Sequence, residues 1–221
     1  PVRADSRFIP PAALGGDLFG SHWLDARRLA VYVLDVSGHG VGAALMSVTV
    51  NDALRLQTLA GVDYSRPAEV LAGLNRVFRA EQHDHMFVTL WYGVYDTTDR
   101  TLAFASAGHP PALLRDASEG GATLKELRTA NPAIGVEAEV AYHQAEAGLT
   151  PGAALYVYSD GAYEIPRRNG TMFTLVEFQE LLRRAGREGV GDLDRLVNEA
   201  RAMAHQGILE DDYTVVKLVF D

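Results

Sequence analysis

Four acidic positions in this chain share one local setting. Asp17 follows Gly15-Gly16, and Asp35 closes an apolar run that is followed by Ser37-Gly38-His39-Gly40. Asp160 closes a second apolar run and precedes Gly161, and the pair Asp211-Asp212 stands immediately before the last apolar run. Each carboxylate therefore sits at the edge of a segment that reads as a strand, where the backbone is held but the side chain can leave the sheet. If such strands are neighbours, their carboxylates meet at one rim. Unscreened acids that close repel and raise each other's pKa, and a divalent cation removes the conflict. Oxygen-only ligands suit hard ions such as Mg²⁺ or Mn²⁺. Two such ions about 3.5–4 Å apart can activate a water and clamp a phosphoryl oxygen for in-line attack. Taken singly, each position has a plainer reading. Gly-Gly-Asp and Asp-Gly are common turns, and an acidic pair before a strand can protect a sheet edge. The chemistry rests on the four occurring together.

The elements that must position these side chains follow from the apolar pattern. Residues 29–35 form a β-branched and aromatic run, and after the Gly-rich turn the chain reads as a helix over about 41–59. That helix is apolar on more than one side, through Val41, Leu45, Val48 and Leu56 and through Met46, Val50 and Leu54, so burial over most of its surface is expected. A second helix starts near Pro67, where proline suits a first turn. Its Val70, Leu71, Leu74, Val77 and Phe78 make one core stripe. Strands are expected over 87–96, 101–107 and 112–115, with weaker ones near 122–128 and 139–146, and another over 154–159. Two further helices follow; the later one carries Leu193, Leu196, Val197, Ala200 and Ala204 along one face. The chain closes on a strand over 213–220. Strands grouped together, rather than alternating singly with helices, predict an α+β fold.

Length and composition bound the answer further. A chain of 221 residues supports one sizeable core, and a single domain over 1–221 is expected. No apolar run approaches the roughly 20 residues that cross a bilayer, and residues 1–10 do not resemble a signal peptide. A cytoplasmic protein without membrane insertion is the expectation. A start at Pro1 leads us to expect the C-terminal catalytic part of a longer regulatory protein, with homodimerisation through upstream segments. The net charge of −9 argues against nucleic-acid partners, which need a basic face. The absence of cysteine excludes thiolate phosphatases, Cys-ligated zinc and disulfide scaffolds.

Several stretches together resemble the PPM superfamily of metal-dependent serine/threonine protein phosphatases, in its bacterial SpoIIE/RsbU branch. They are Gly15-Gly16-Asp17, the run from Asp35-Val36-Ser37-Gly38-His39-Gly40 to Met46, and Phe87-Val88-Thr89-Leu90. Ala107-Gly108-His109-Pro110-Pro111, Tyr158-Ser159-Asp160-Gly161 with Glu164, and Asp211-Asp212-Tyr213-Thr214 continue the family's order. The resemblance implies a four-layer αββα sandwich in which two antiparallel sheets are flanked by helix pairs. It implies two Mn²⁺ or Mg²⁺ ions, with Asp35 bridging both and the Val36 carbonyl holding one. Asp160 and Asp211 would bind the other, and Asp17 would act through water or from outside the ligand set. Glu164 is a candidate for a weaker third ion. The implied reaction is hydrolysis of a phosphoserine or phosphothreonine protein by metal-activated water, with Asp35, Asp160 and Asp211 as the catalytic set. The branch further implies an anti-sigma-factor antagonist of STAS type as the phosphorylated partner.

This chain departs from many relatives at Gly20, where they carry a second Asp. The spacing of His39 from Asp35 differs from that of the catalytic histidine of eukaryotic members, so a loop-stabilising role stands beside a general-acid role. His109 reads as a structural turn residue. An alternative is a catalytically inactive domain of the same fold that binds a partner or senses a signal, although such copies tend to lose ligands kept here. Two other readings fail. Gly15-Gly16-Asp17-Leu18-Phe19 lacks the second acid of a diguanylate-cyclase signature, and Asp192-Leu193-Asp194 falls in a helix rather than at the end of an apolar strand.

Overall fold

A computed structural model describes residues 1–11, 14–83, 85–116, 123–185 and 192–221. In chain order the elements begin with β1 (Val2–Ile9), β2 (Leu18–Trp23), β3 (Arg28–Val36), α1 (Val41–Arg55) and α2 (Pro67–Val77). Next come β4 (Val88–Asp96), β5 (Thr101–Ala107), β6 (Ala112–Arg115), β7 (Leu124–Leu127), β8 (Ala145–Gly148) and β9 (Ala153–Tyr158). The short strands β10 (Ile165–Pro166) and β11 (Met172–Phe173), the helices α3 (Leu175–Ala185) and α4 (Asp192–Met203), and β12 (Tyr213–Phe220) complete the chain. The α+β class expected from the grouping of strands is borne out. Contacts divide the chain into a central unit, Leu14–Ala112 with Leu127–Leu149, and a terminal unit, Pro1–Ala13 with Leu113–Glu126 and Thr150–Asp221. Among the described residues no helix is long and apolar enough to cross a membrane.

The central unit is an antiparallel sheet in the order β2-β3-β4-β5-β8, with α1 and α2 against one face. Alternation along the strands decides what each face carries. Tyr32, Leu34 and Val36 of β3 and Val88, Leu90 and Tyr92 of β4 join the core formed with Met46, Val50, Leu54, Leu71 and Leu74. The intervening positions, Asp35 and Thr89 among them, belong to the opposite face.

Helix α1 differs from the expectation in two ways. It stops at Arg55, because Leu56 caps it and Gln57 takes a left-handed φ of 54°. It is also buried on one side only: Ala43, Met46, Val50 and Leu54 pack down, while Val41 and Leu45 are each 63% exposed. A helix lying on a sheet as a single layer has only one stripe covered by that sheet, so apolar residues on the other side do not join this core. Val77, at the end of α2, is likewise exposed, and the stripe there runs through Val70, Leu71, Leu74 and Phe78. The strand expected over 139–146 begins only at Ala145.

Gly20 now has a physical account. It lies opposite Tyr32 in the β2–β3 register, and the Tyr32 hydroxyl donates to Asn51 Oδ1 at 2.8 Å. A Cβ at position 20 would overlap the Tyr32 hydroxyl and lie 2.5 Å from its Cζ. The missing acid is therefore the counterpart of a tyrosine that ties β3 to α1. Gly20→Asp should cost about 1–3 kcal/mol, the usual scale of overpacking. A thermal melt of Gly20→Asp alone and with Tyr32→Leu checks this, since removing the phenol should recover most of the loss.

The terminal unit is a second antiparallel sheet, ordered β1-β12-β9-β6-β7. Tyr158, Tyr213 and Val215 pack with Phe178 and Leu182 of α3 and with Leu193, Leu196 and Ala200 of α4. Strand β1 pairs with β12 over its whole length, from Val2↔Phe220 to Ile9↔Tyr213. Its sequence is too polar to announce a strand, because an edge strand draws on ladder hydrogen bonds rather than on two buried faces. Asp192, in the first turn of α4, is buried and accepts from Lys217 Nζ at 2.7 and 2.9 Å and from the Tyr156 hydroxyl at 2.9 Å. Asp194 pairs with Arg7 at 2.6 Å. Both acids of Asp192-Leu193-Asp194 are thus engaged in holding α4 to the sheet.

Candidate metal centre

In the central unit the carboxylates stand in a row across the sheet. Leu18 is opposite Leu34, and Val36 N–H donates to the Gly16 carbonyl at 3.3 Å, so Asp17 falls opposite Asp35 between those two pairs. On the other side of β3, Asp35 is opposite Thr89 of β4. Asp17 is 9% exposed and Asp35 is half-buried. Gly16 is needed for this approach: a Cβ there would overlap the Val36 carbonyl oxygen and sit 3.2 Å from Asp35 Oδ1. The Val36 carbonyl and the Asp35 carboxylate therefore lie beside one another under a position that only glycine fills.

The loop after Asp35 is tied at two points. Ser37 N–H donates to the Phe87 carbonyl at 2.9 Å, Phe87 N–H returns to Ser37 Oγ at 2.9 Å, and Gly40 N–H donates to the Leu14 carbonyl at 2.7 Å. Gly38 and Gly40 take φ values of 91° and 94°, which their neighbours with side chains would resist. His39 is exposed on this loop. Ser37, Gly40 and their partners supply the two ties. His109 is buried, with Nδ1 2.8 Å from Thr89 Oγ1.

In the terminal unit, β9 ends at Tyr158 and Asp160 opens a short 3₁₀ turn through Ala162. The Asp160 carbonyl accepts from Tyr163 and Glu164 N–H at 2.9 and 2.7 Å. Ser159 fastens this turn to the start of β12. Its hydroxyl donates to the Asp212 carbonyl at 3.1 Å, and its N–H donates to the Thr214 carbonyl at 3.1 Å. Gly161 lies directly on the same backbone, where a Cβ would overlap the Asp212 carbonyl oxygen and come within 3.3 Å of Asp211 Cβ. Asp211 is exposed, and its Oδ1 accepts from Asp212 N–H at 2.8 Å. Burial, then the charge of Asp211, then that of Glu164 hold the Asp160 carboxyl above its ordinary range. The structure thus brings Asp17 beside Asp35, and Asp160 beside Asp211 and Glu164.

Among the described residues no three histidine or acidic side chains stand in an arrangement that could hold an ion between them. The donors nevertheless fit a hard divalent cation. They are all oxygens, one of them a backbone carbonyl beside a glycine, and Asp160 is half-buried next to like charges, a state that a cation relieves. Three residues that lie in the stretches carrying the family resemblance had no role assigned from the sequence. Thr89, Ser159 and Gly161 carry no charge, and their part depends on which strands become neighbours.

A family model described as Stage II sporulation protein E (SpoIIE) matches residues 25–221. The phosphoserine phosphatase RsbP of Bacillus subtilis is 28% identical over 180 residues, covering 80% of this chain and 43% of RsbP. The phosphoserine phosphatase RsbU of the same organism is 25% identical over 211 residues, covering 95% of this chain and 61% of RsbU. The chain therefore spans roughly half the length of these curated relatives. Among solved structures, the SiaA-PP2C domain of Pseudomonas aeruginosa superposes with a TM-score of 0.85 at 25% identity, covering 99% of this chain and 86% of that one.

Proposed function

Because the chain belongs to the SpoIIE family, we propose that it is a metal-dependent phosphatase acting on phosphoserine or phosphothreonine of a protein. The observation that carries this reading is the close approach at Gly161 that sets the half-buried Asp160 against the Asp211-Asp212 segment, where burial first, and then the charges of Asp211 and Glu164, keep its carboxyl above the usual range. A protein gains nothing in stability from such an arrangement, whereas a bound dication turns it to use. In this reading Asp35, the Val36 carbonyl, Asp160 and Asp211 hold two Mn²⁺ or Mg²⁺ ions. Asp17, just before β2 and opposite Asp35, would act on the ions through water or from outside the ligand set, and Glu164 would serve a weaker third ion. Bound dications would supply an activated water and offset the charge that builds on the phosphoryl oxygens.

The chain's own groups then have defined tasks. Gly16 and Gly161 allow the backbone to bring each carboxylate to its place, and Ser159 fixes the Asp160 turn to β12. No covalent phosphoenzyme is required, in keeping with the lack of cysteine. For the partner, the naming of RsbP and RsbU as phosphoserine phosphatases supports a phosphorylated protein. Within this family we favour a STAS-type anti-sigma-factor antagonist.

Phosphate release from a phosphoserine protein, measured with Mn²⁺, with EDTA and with Asp35→Ala, tests the proposal. Chelation or the substitution should each reduce the rate about 10³-fold, the upper scale for losing one preorganised group that stabilises developing charge. Undiminished turnover in EDTA would rule the mechanism out. A calorimetric titration in which the wild-type protein takes up no Mn²⁺ would favour the inactive, partner-binding alternative.

A further inference from the structure

Strand register in the central unit places more than acids in the row that contains Asp35. Asp35 of β3 stands opposite Thr89 of β4 on one side and, on the other, opposite Asp17 just before β2, and directly opposed side chains on an antiparallel pair have Cβ atoms about 4.5–5.5 Å apart. Thr89 therefore presents its hydroxyl on the same face as the Asp35 carboxylate, away from the helix-packed core that takes Val88 and Leu90. The hydroxyl is in turn engaged by His109, whose Nδ1 lies 2.8 Å from Thr89 Oγ1.

The delivery of that imidazole is built into the fold. Leu90 pairs with Ala107 at the end of β5, so the chain turns at the level of Thr89. Gly108 makes the turn with φ of 62° and donates its N–H to the Asn131 carbonyl at 3.0 Å. A Cβ at position 108 would lie only 2.9 Å from Ala133 Cβ, so the turn also packs too closely for a side chain. His109 is then only 7% exposed, which is low for a turn residue with a polar ring. A buried ring held on a threonine across from an aspartate is more than turn geometry requires.

We propose that Thr89 is a positioning residue for Asp35, and that His109 acts through Thr89 by fixing its hydroxyl. With Nδ1–H donated to Oγ1, the hydroxyl proton is left to point toward the Asp35 carboxylate. That hydrogen bond selects one carboxylate orientation and leaves its remaining lone pairs for a cation, the task that partners of ligating carboxylates perform in metal sites. The inference rests on Asp35 being a metal ligand, as proposed above.

The test uses the whole chain, with Mn²⁺ affinity read by isothermal titration calorimetry and turnover read on a phosphoserine protein. Thr89→Val keeps shape and strand preference but removes the hydroxyl. It should weaken Mn²⁺ binding about 10–100-fold and lower kcat with little change in KM. Thr89→Ser should restore most of both. His109→Ala should reproduce much of the loss in the wild-type background and add almost nothing on top of Thr89→Val, because its effect passes through the same hydroxyl. A purely structural role for His109 would instead give losses that add, together with a lowered melting temperature. Wild-type Mn²⁺ affinity in Thr89→Val, or additive losses in the double variant, would overturn the inference while leaving the metal-site reading intact. A wild-type protein that binds no Mn²⁺ would overturn both.

Discussion

Gly161→Val is expected to lower metal-dependent phosphate release by on the order of 10²-fold while leaving a folded protein. The reason is where the new atoms would go. A Cβ on Gly161 overlaps the Asp212 carbonyl oxygen, comes within 3.0 Å of the Asp212 carbonyl carbon and lies 3.3 Å from Asp211 Cβ. Those atoms are backbone or the first side-chain atom, so no rotamer change relieves the overlap; the Asp160 turn and the segment leading into β12 must separate. Ser159 would lose its hold on the Asp212 carbonyl, now 3.1 Å away, and Asp160 would leave the neighbourhood of Asp211. Displacements of about 1 Å at a reacting site cost on the order of 10²-fold in rate, and the overpacking itself about 1–3 kcal/mol. Gly148→Val is the control, because nothing lies within 4 Å of a Cβ there. Circular dichroism should report folded protein for both variants, and a phosphatase assay with Mn²⁺ should separate them. Activity near wild type in Gly161→Val would show that this close approach is not needed.

Asp160→Asn should move stability and function in opposite directions. Burial and the charges of Asp211 and Glu164 raise the folded-state pKa of Asp160 above its ordinary 3.8. A raised pKa means that the fold binds this proton more tightly than the unfolded chain does. The resulting stabilisation is complete below the ordinary value and is lost as pH rises through the folded-state value. At neutral pH the metal-free protein therefore carries a buried, repelled charge, and the neutral amide removes it. In EDTA, Asp160→Asn should melt above the wild type at neutral pH, and the two should converge as the pH falls toward 3.8. With Mn²⁺ the order reverses, since only the ionised carboxylate binds the ion and gains stability from it. Turnover of the variant should fall about 10³-fold. A differential-scanning series over pH, with and without Mn²⁺, checks every part of this. A wild type that melts above Asp160→Asn in EDTA at neutral pH would contradict the buried, repelled state of Asp160.

These two positions also mark how far local pattern carries. Asp160 was legible because an acid closing an apolar run before a glycine is a one-dimensional pattern. Gly161 was legible as a turn, but its contact with the Asp212 backbone was not, since 51 residues separate them in the chain. The strands of the central core were readable for a similar reason: 29–34 and 90–95 are strongly apolar, so burial selects them whatever their neighbours. Strands β1 and β2 were not, because they are held through the partner strand's N–H and C=O groups rather than by an apolar run of their own.

What the amino-acid sequence determined alone was the inventory: which segments can be strands or helices, which acids close them, and which chemistries the lack of cysteine forbids. Those follow from apolar period and residue type, both of which are local. Only the tertiary structure decided the neighbours. It set Asp17 and Thr89 on either side of Asp35, gave His109 its threonine, and left Val41 and Leu45 exposed on a helix whose apolar content had promised burial. Strand order and register bring together residues far apart in the chain, and no local preference encodes which of several apolar stripes will be covered.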